Sequence, residues 1–325
     1  MSEPAKLRLG GMALRNGLLV HGPTHWAAAI RGRDGEIQVA SGRKPRVRGR
    51  VGLLPGTRGV ARLGEAFVVI PLVKRALPEV KLPFQDARVL GVAGLTAAAG
   101  AFARRRSPGL SGEAVSAGLS LAPALFALRI GEIAEYHGVE HKSIAAYEED
   151  RADAADASKE HDRCGSNLVA PMLVANIAGA ALVKKVVPRP GPVAGAAVAL
   201  GAMGTAVEIF LWSERHSDTG MARALRRPGF ELQRVLGTRE PDAEQMAVGQ
   251  AALQEILRVE AAPAAATDDS SASNDDKATP GGGVTVWARR HHLGNRACDR
   301  GVDPPPGGCV VRCRTSHGSA WQRSM

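Results

Sequence analysis

His137, Glu140 and His141 fall within five residues of one another in Glu135-Tyr136-His137-Gly138-Val139-Glu140-His141-Lys142. On a helix, His137 and His141 are i and i+4, so both imidazoles leave one face, one turn apart. Two neutral imidazoles at that spacing can share one divalent metal ion, Zn²⁺ before others. Glu140 lies about 60° around such a helix from His137 and is placed to take a proton from water activated by the metal. Read as His-x-x-Glu-His, the stretch has the order of an inverted zinc-protease motif. The plainer alternative is a polar helix end leaving a membrane, with its side chains solvated.

A third ligand must come from elsewhere. Glu208 is the preferred candidate, because a carboxylate inside an apolar run needs a cation to offset its desolvation. His161 and Cys164 are the other two. They are i and i+3, and both together would close a structural site of three His and one Cys. An open three-ligand site implies a hydrolase, a closed one a metal-stabilised scaffold. Cys164 alone reads as an inert buried thiol. Glu148 is seven residues past His141, roughly 10 Å along a helix, and suits a supporting role. Tyr136 and Lys142 read as anchors at a membrane interface.

The elements that must position these residues are mainly helical. Val89 to Ala103, Ala114 to Ile130, Leu168 to Val183 and Pro192 to Trp212 are apolar runs rich in Ala and Gly. Their lengths approach the ~20 residues of a membrane-spanning helix, and their small residues suit close helix packing in a bilayer. Ala66 to Val73 is too short to span and reads as an interfacial or buried segment. The fold expected is a polytopic membrane helical bundle, with a small N-terminal β unit and a disordered C-terminal tail. The bundle occupies 63–212 and holds the acidic motif loop 132–167. The β unit and a basic arm occupy 1–62, where Leu18-Leu19-Val20, Trp26 to Arg31 and Glu36 to Ala40 read as strands. The last two flank Gly32-Arg33-Asp34-Gly35, a loop with Asp-Gly turn chemistry. Residues 213–260 form a C-terminal helical segment, and Met246, Leu253, Ile256 and Leu257 mark an apolar docking face on its last helix. From 261 the composition turns to Ala-Pro, Asp/Ser and Gly, which suits a disordered, dispensable tail.

The net charge of +10 is mainly an N-terminal property, since residues 1–62 hold 12 Lys and Arg against 3 Asp and Glu. Such a cluster suits anionic lipid, or a protein partner met through the arm or the C-terminal helix. No aromatic-interleaved motif accompanies it, so nucleic acid is not the expected partner. Cys164 is the one cysteine of the main body. Cys298, Cys309 and Cys313 lie in the tail, so a disulfide framework is not expected and a reducing compartment fits. The first thirty residues lack the continuous apolar core of a signal peptide. The expected location is a bacterial cytoplasmic membrane, crossed several times.

Separated pieces of the chain agree with one family. They are Gly10-Gly11 through Gly22-Pro23, Tyr136-His137-Gly138-Val139-Glu140-His141-Lys142 with Tyr147-Glu148, and His161-Asp162-Arg163-Cys164-Gly165-Ser166-Asn167. Val207-Glu208, Pro228-Gly229 with Leu232-Gln233-Arg234, and Thr238-Arg239-Glu240-Pro241 with Asp242 complete them. In these the chain resembles the bacterial YqhQ family, described as metal-dependent enzymes of unresolved function. The resemblance implies a multi-pass membrane protein with a polar, metal-binding cluster and no established substrate. The chain departs from the family's pattern in carrying Met12 and Asn16 where Gln and Glu are usual. It also has Asp162 for Pro, Ser166 for Thr and Ala247 for Glu. Two functions of different class follow: a membrane-embedded metal-dependent hydrolase in which Glu140 acts on water, and a non-catalytic membrane scaffold or regulator with a structural metal.

Overall fold

The computed structural model describes residues 6–45, 58–187, 190–261 and 285–289. Four strands come first: β1 (Gly10–Leu14), β2 (Gly17–His21), β3 (His25–Arg31) and β4 (Ile37–Arg43). The helices are α1 (Arg58–Ala76), α2 (Ala87–Arg106), α3 (Leu110–Leu119), α4 (Ala122–Ala127), α5 (Ile133–Glu149), α6 (Val169–Val186), α7 (Pro192–Arg215), α8 (Gly220–Leu232) and α9 (Ala243–Ala261).

The strands form an antiparallel meander in sequence order, with Gly17 opposite Ile30 and Ile37 opposite Arg31. Gly35, at φ +82°, turns β3 into β4 as its Asp-Gly pair predicts. Strand side chains alternate between the two faces of a sheet. Leu18, Val20, Ala27, Ala29 and Val39 point to one face, where they meet Tyr136, Val139 and Ile144 of α5 and Met246, Val248 and Ile256 of α9. Leu14, Leu19, Trp26, Ala28 and Ile30 point to the other, where Val69, Ile70 and Val73 of α1 cover them together with Leu77, Val80 and Leu82. The short run Ala66 to Val73 is thus part of a helix with Val69, Ile70 and Val73 buried on the sheet. The docking face expected of the last helix is real, and the chain's own sheet occupies it.

Asn16 closes the β1–β2 turn. Its amide donates to Arg31 O (2.9 Å) and Glu79 O (3.2 Å) and accepts from Lys81 N–H (2.9 Å). A carboxylate could not donate those two bonds, so Asn16 is a structural tie.

Among the described residues, three segments are long and apolar enough to cross a membrane: Leu110–Ala127, Gly165–Val186 and Val193–Arg215. Four were expected. The fourth run forms α2, a 20-residue helix with Arg88 at one end and Arg104, Arg105 and Arg106 at the other. The helices α6 and α7 pack against each other, as do α2 and α3. Gly179 allows the first of these contacts, since a Cβ there would lie 3.1 Å from Val198 Cγ1. Exposed Leu95, Phe102, Val174, Leu182 and Leu200 line the outside of these helices.

The tail differs from expectation. Thr285–Arg289 forms β5, pairing antiparallel with β4 so that Val39 stands opposite Trp287. The open edge of β4 and the β-prone Thr285-Val286-Trp287 account for it. The remainder of the expected disordered tail, including Cys298, Cys309 and Cys313, lies outside the described residues, as does 46–57 of the basic arm. The Glu260 carboxylate accepts from Thr24 N–H, Thr24 Oγ1–H and His25 N–H, each at 2.7 Å, and so caps the β2–β3 turn.

Candidate metal centre

The motif is helical as expected, and both imidazoles leave α5 on one side with ring centroids 4.4 Å apart. Each ring is fixed through Nδ1 by a backbone carbonyl. His137 bonds Gly237 O at 2.8 Å, and His141 bonds Lys159 O. Carbonyls only accept, so both Nδ1 atoms carry a proton, which leaves Nε2 as the lone-pair atom of each ring in its neutral form. This is the carbonyl support that metal-ligating histidines usually have. His141 Nε2 is buried and has no hydrogen-bond partner among the described residues. Cys164 Sγ lies 3.3 Å from His137 Nε2. Among the described residues, His137, His141 and Cys164 are the one group of three or more His, Cys, Asp or Glu side chains whose ligand atoms all lie within 4.8 Å of each other.

Burial decides the protonation of this corner. It pushes His141 down to about 3, helped by the neighbouring His137 charge and opposed by the Lys159 carbonyl, so His141 is neutral at pH 7. It pushes the Cys164 thiol up to about 11, with the Glu140 charge adding to the effect, so the sulfur keeps its proton unless a cation displaces it. Glu140 is also pushed upward by burial, while His137 and the Gly11 amide favour its ionised form. Gly11 of β1 closes over the carboxylate, and a Cβ there would lie 2.7 Å from Glu140 Cγ.

Two of the other expected ligands are engaged differently. The His161 ring lies 5.7 Å from that of His141, but its Nδ1 accepts Arg163 N–H and its Nε2 faces Glu148 Oε2 at 3.4 Å. Glu148 also pairs with Arg163, so it supports the loop as expected. Glu208 sits on α7 outside the three-residue group. Glu208→Ala is expected to leave metal content unchanged, which plasma mass spectrometry of the purified variant checks.

Sequence reasoning missed what holds the loop that brings Cys164 to α5. Gln233, fully buried in the π-helical turn Gln233–Gly237 after α8, accepts from His161 N–H (2.8 Å) and donates to His161 O (3.2 Å) and Ser166 Oγ (2.8 Å). Lys142 donates to Ala155 O (2.8 Å) and Ala157 O (2.9 Å) and pairs with Glu240 at 3.0 Å. Lys142 and Tyr136 are both buried, which corrects their expected role as interfacial anchors. Both stand in the quoted motif pieces, but long-range ties of this kind leave no local pattern. Cys164 itself caps the turn Gly165–Leu168, which runs directly into α6.

The family model of a protein of unknown function, DUF1385, matches residues 125–259, a segment that holds all three converging side chains and Glu140. The chain is also similar to "Uncharacterized protein YqhQ" of Bacillus subtilis (strain 168), at 29% identity over 142 residues, or 41% of this chain. The chain is YqhQ-like. The match covers 42% of the YqhQ protein's own length. No solved structure matches the chain. The Gly10-Gly11 piece of the YqhQ resemblance lies outside the family segment, yet it supplies the backbone against Glu140.

Proposed function

We propose that the protein is a bacterial membrane-embedded, metal-dependent hydrolase whose centre is His137, His141 and Cys164. The convergence of two Nε2 lone pairs and one sulfur, with both Nδ1 atoms on backbone carbonyls, carries this reading. The donor set fits Zn²⁺, and the orphaned His141 Nε2 is the atom such an ion would satisfy. A bound ion would supply Lewis acidity toward water and toward a carbonyl or phosphoryl oxygen. Glu140 takes the proton from water and returns it to the leaving group, and the Gly11 amide holds the carboxylate in place. With His161 committed to Glu148 and Arg163 N–H, three protein ligands leave room for water, which favours a hydrolase over a closed structural site.

The membrane half of the reading rests on the three long apolar helices and their exposed outer faces. Alkaline carbonate extraction is expected to leave the protein in the membrane pellet, and release into the supernatant would end that half. The catalytic half is tested with chromogenic ester, peptide and phosphodiester panels on protein of measured metal content. Turnover that needs both the metal and Glu140 is the expected result. Metal without Glu140-dependent turnover favours the non-catalytic scaffold.

A further inference from the structure

The helix that follows α7 presents a surface that the hydrolase does not use. Only residues 216–219 separate the end of α7 from α8, the most amphipathic helix among the described residues. Buried Ala222 and Gly229 set α8 against the turn Gly165–Leu168 and α7. Gly229 is needed there, because a Cβ would lie 2.6 Å from Asn167 Cα.

At 100° per residue, Met221, Ala224 and Pro228 form one exposed flank of α8, and Arg223 and Arg227 form the next. Met221 is 63% exposed. Arg227 has no ion pair or hydrogen bond among the described residues, and Arg223 donates to a backbone carbonyl, Asp218 O at 2.9 Å. The one carboxylate on α8, Glu231, is paired with Arg234 at 2.7 Å. Just before the helix, Trp212 stacks on His216 with centroids 4.7 Å apart, an amphipathic ring where a span would meet the headgroups. An apolar flank beside a basic flank, whose one neighbouring carboxylate is held by Arg234, directly after the end of an apolar helix, is how a helix lies in a membrane interface.

We propose that α8 lies in the headgroup plane and that Arg223 and Arg227 hold the phosphates of anionic phospholipids beside the metal centre. The inference rests on the membrane placement of α6 and α7 proposed above. It brings lipid close to the centre because α8 packs on the turn capped by Cys164, and because the π-helical turn continuing α8 offers Gly237 O to His137. Charge selects the occupant: two arginines suit phosphate, and the adjoining Met221 and Pro228 suit acyl chains rather than a polar partner.

The full-length protein, purified in neutral detergent, is titrated with phosphatidylglycerol and with phosphatidylcholine, and bound lipid is counted by native mass spectrometry. The wild type is expected to prefer phosphatidylglycerol. The Arg223→Gln/Arg227→Gln variant should lose roughly thirtyfold in that preference, at about fivefold per arginine near an anionic surface. Neutralising two exposed arginines of the sheet, Arg33 and Arg43, should change nothing, and inorganic phosphate should not displace the lipid. Independently, a benzophenone amino acid at position 221 should cross-link phospholipid in native membranes. An unchanged preference in the α8 variant, an equal loss in the sheet variant, displacement by inorganic phosphate, or no lipid cross-link at 221 would each overturn the proposal. Because carbonate extraction reads insertion separately, such a failure in protein that still pellets leaves the membrane placement standing.

Discussion

Purified His137→Ala and His141→Ala proteins are expected to carry no stoichiometric divalent metal, whereas the wild type carries about one ion per chain. Structural zinc sites bind with ~10–16 kcal/mol from four ligands. One ligand in three therefore accounts for about 3 kcal/mol or more, over a hundredfold in affinity. Neither alanine can be replaced by a neighbour at once, because His161 is held by Glu148 and the Arg163 amide. Cys164→Ser should weaken binding by a similar factor, since a hydroxyl is a poorer ligand for Zn²⁺ than a thiolate. Glu140→Gln should keep the metal and lower turnover by roughly 10²–10⁴-fold, the usual range for a general base. Metal content is read by plasma mass spectrometry after purification without chelators, and affinity by competition with a chelating dye. Native protein with no metal, alongside His→Ala variants that insert normally, would sink the metal centre and the hydrolase with it.

Gly138→Ala is expected to be among the more damaging one-carbon changes in the family segment. A Cβ at Gly138 would lie 2.2 Å from Arg239 O, a backbone atom with little freedom to move. Arg239 N–H is bonded to Ala134 O at 2.9 Å, which pins the same segment to α5 one turn earlier on the same face. Overpacking of this kind costs about 3 kcal/mol, and the better helix propensity of alanine returns about 1 kcal/mol. The net loss of about 2 kcal/mol should lower the melting temperature by roughly 5 °C. The displaced segment also carries Gly237 O, the acceptor that orients His137, so metal affinity should fall by about 10–100-fold. Gly94→Ala is the control, since nothing lies within 4 Å of its Cβ position. Equal melting temperatures for the two variants in the same detergent would show that the close approach does not matter.

What could be read from the sequence was local. The i, i+4 histidines, the Asp34-Gly35 turn and the strand formers of β2 to β4 each declare themselves within a few residues. The ligand at Cys164 could be named as a candidate but not chosen, because its position depends on Gln233, 69 residues further on. The preference for Glu208 rested on the cost of a carboxylate in an apolar run, and that cost says nothing about direction. Burial of Tyr136 and Lys142 was hidden for a related reason. A polar residue on α5 looks interfacial until a sheet from the other end of the chain is laid over it. The sheet itself is covered on both faces, so its strands lack the polar alternation that would have marked one of them as outward.

The order in which the chain is made gives that doubly covered sheet a history. Its strands are complete at Arg43, and α1 can cover one face soon afterwards. The other face waits for Tyr136 and Val139, and finally for Ile256 and Glu260. At about 5–20 residues per second, the 218 residues from Arg43 to Ala261 take on the order of ten to forty seconds to emerge. The apolar helices between them leave the ribosome during that interval. The sheet therefore spends it with Leu18, Val20, Ala27 and Ala29 uncovered, beside a forming membrane bundle if the proposed placement holds. A ribosome-associated chaperone, or the bilayer surface itself, is the natural shelter for that face until α9 arrives.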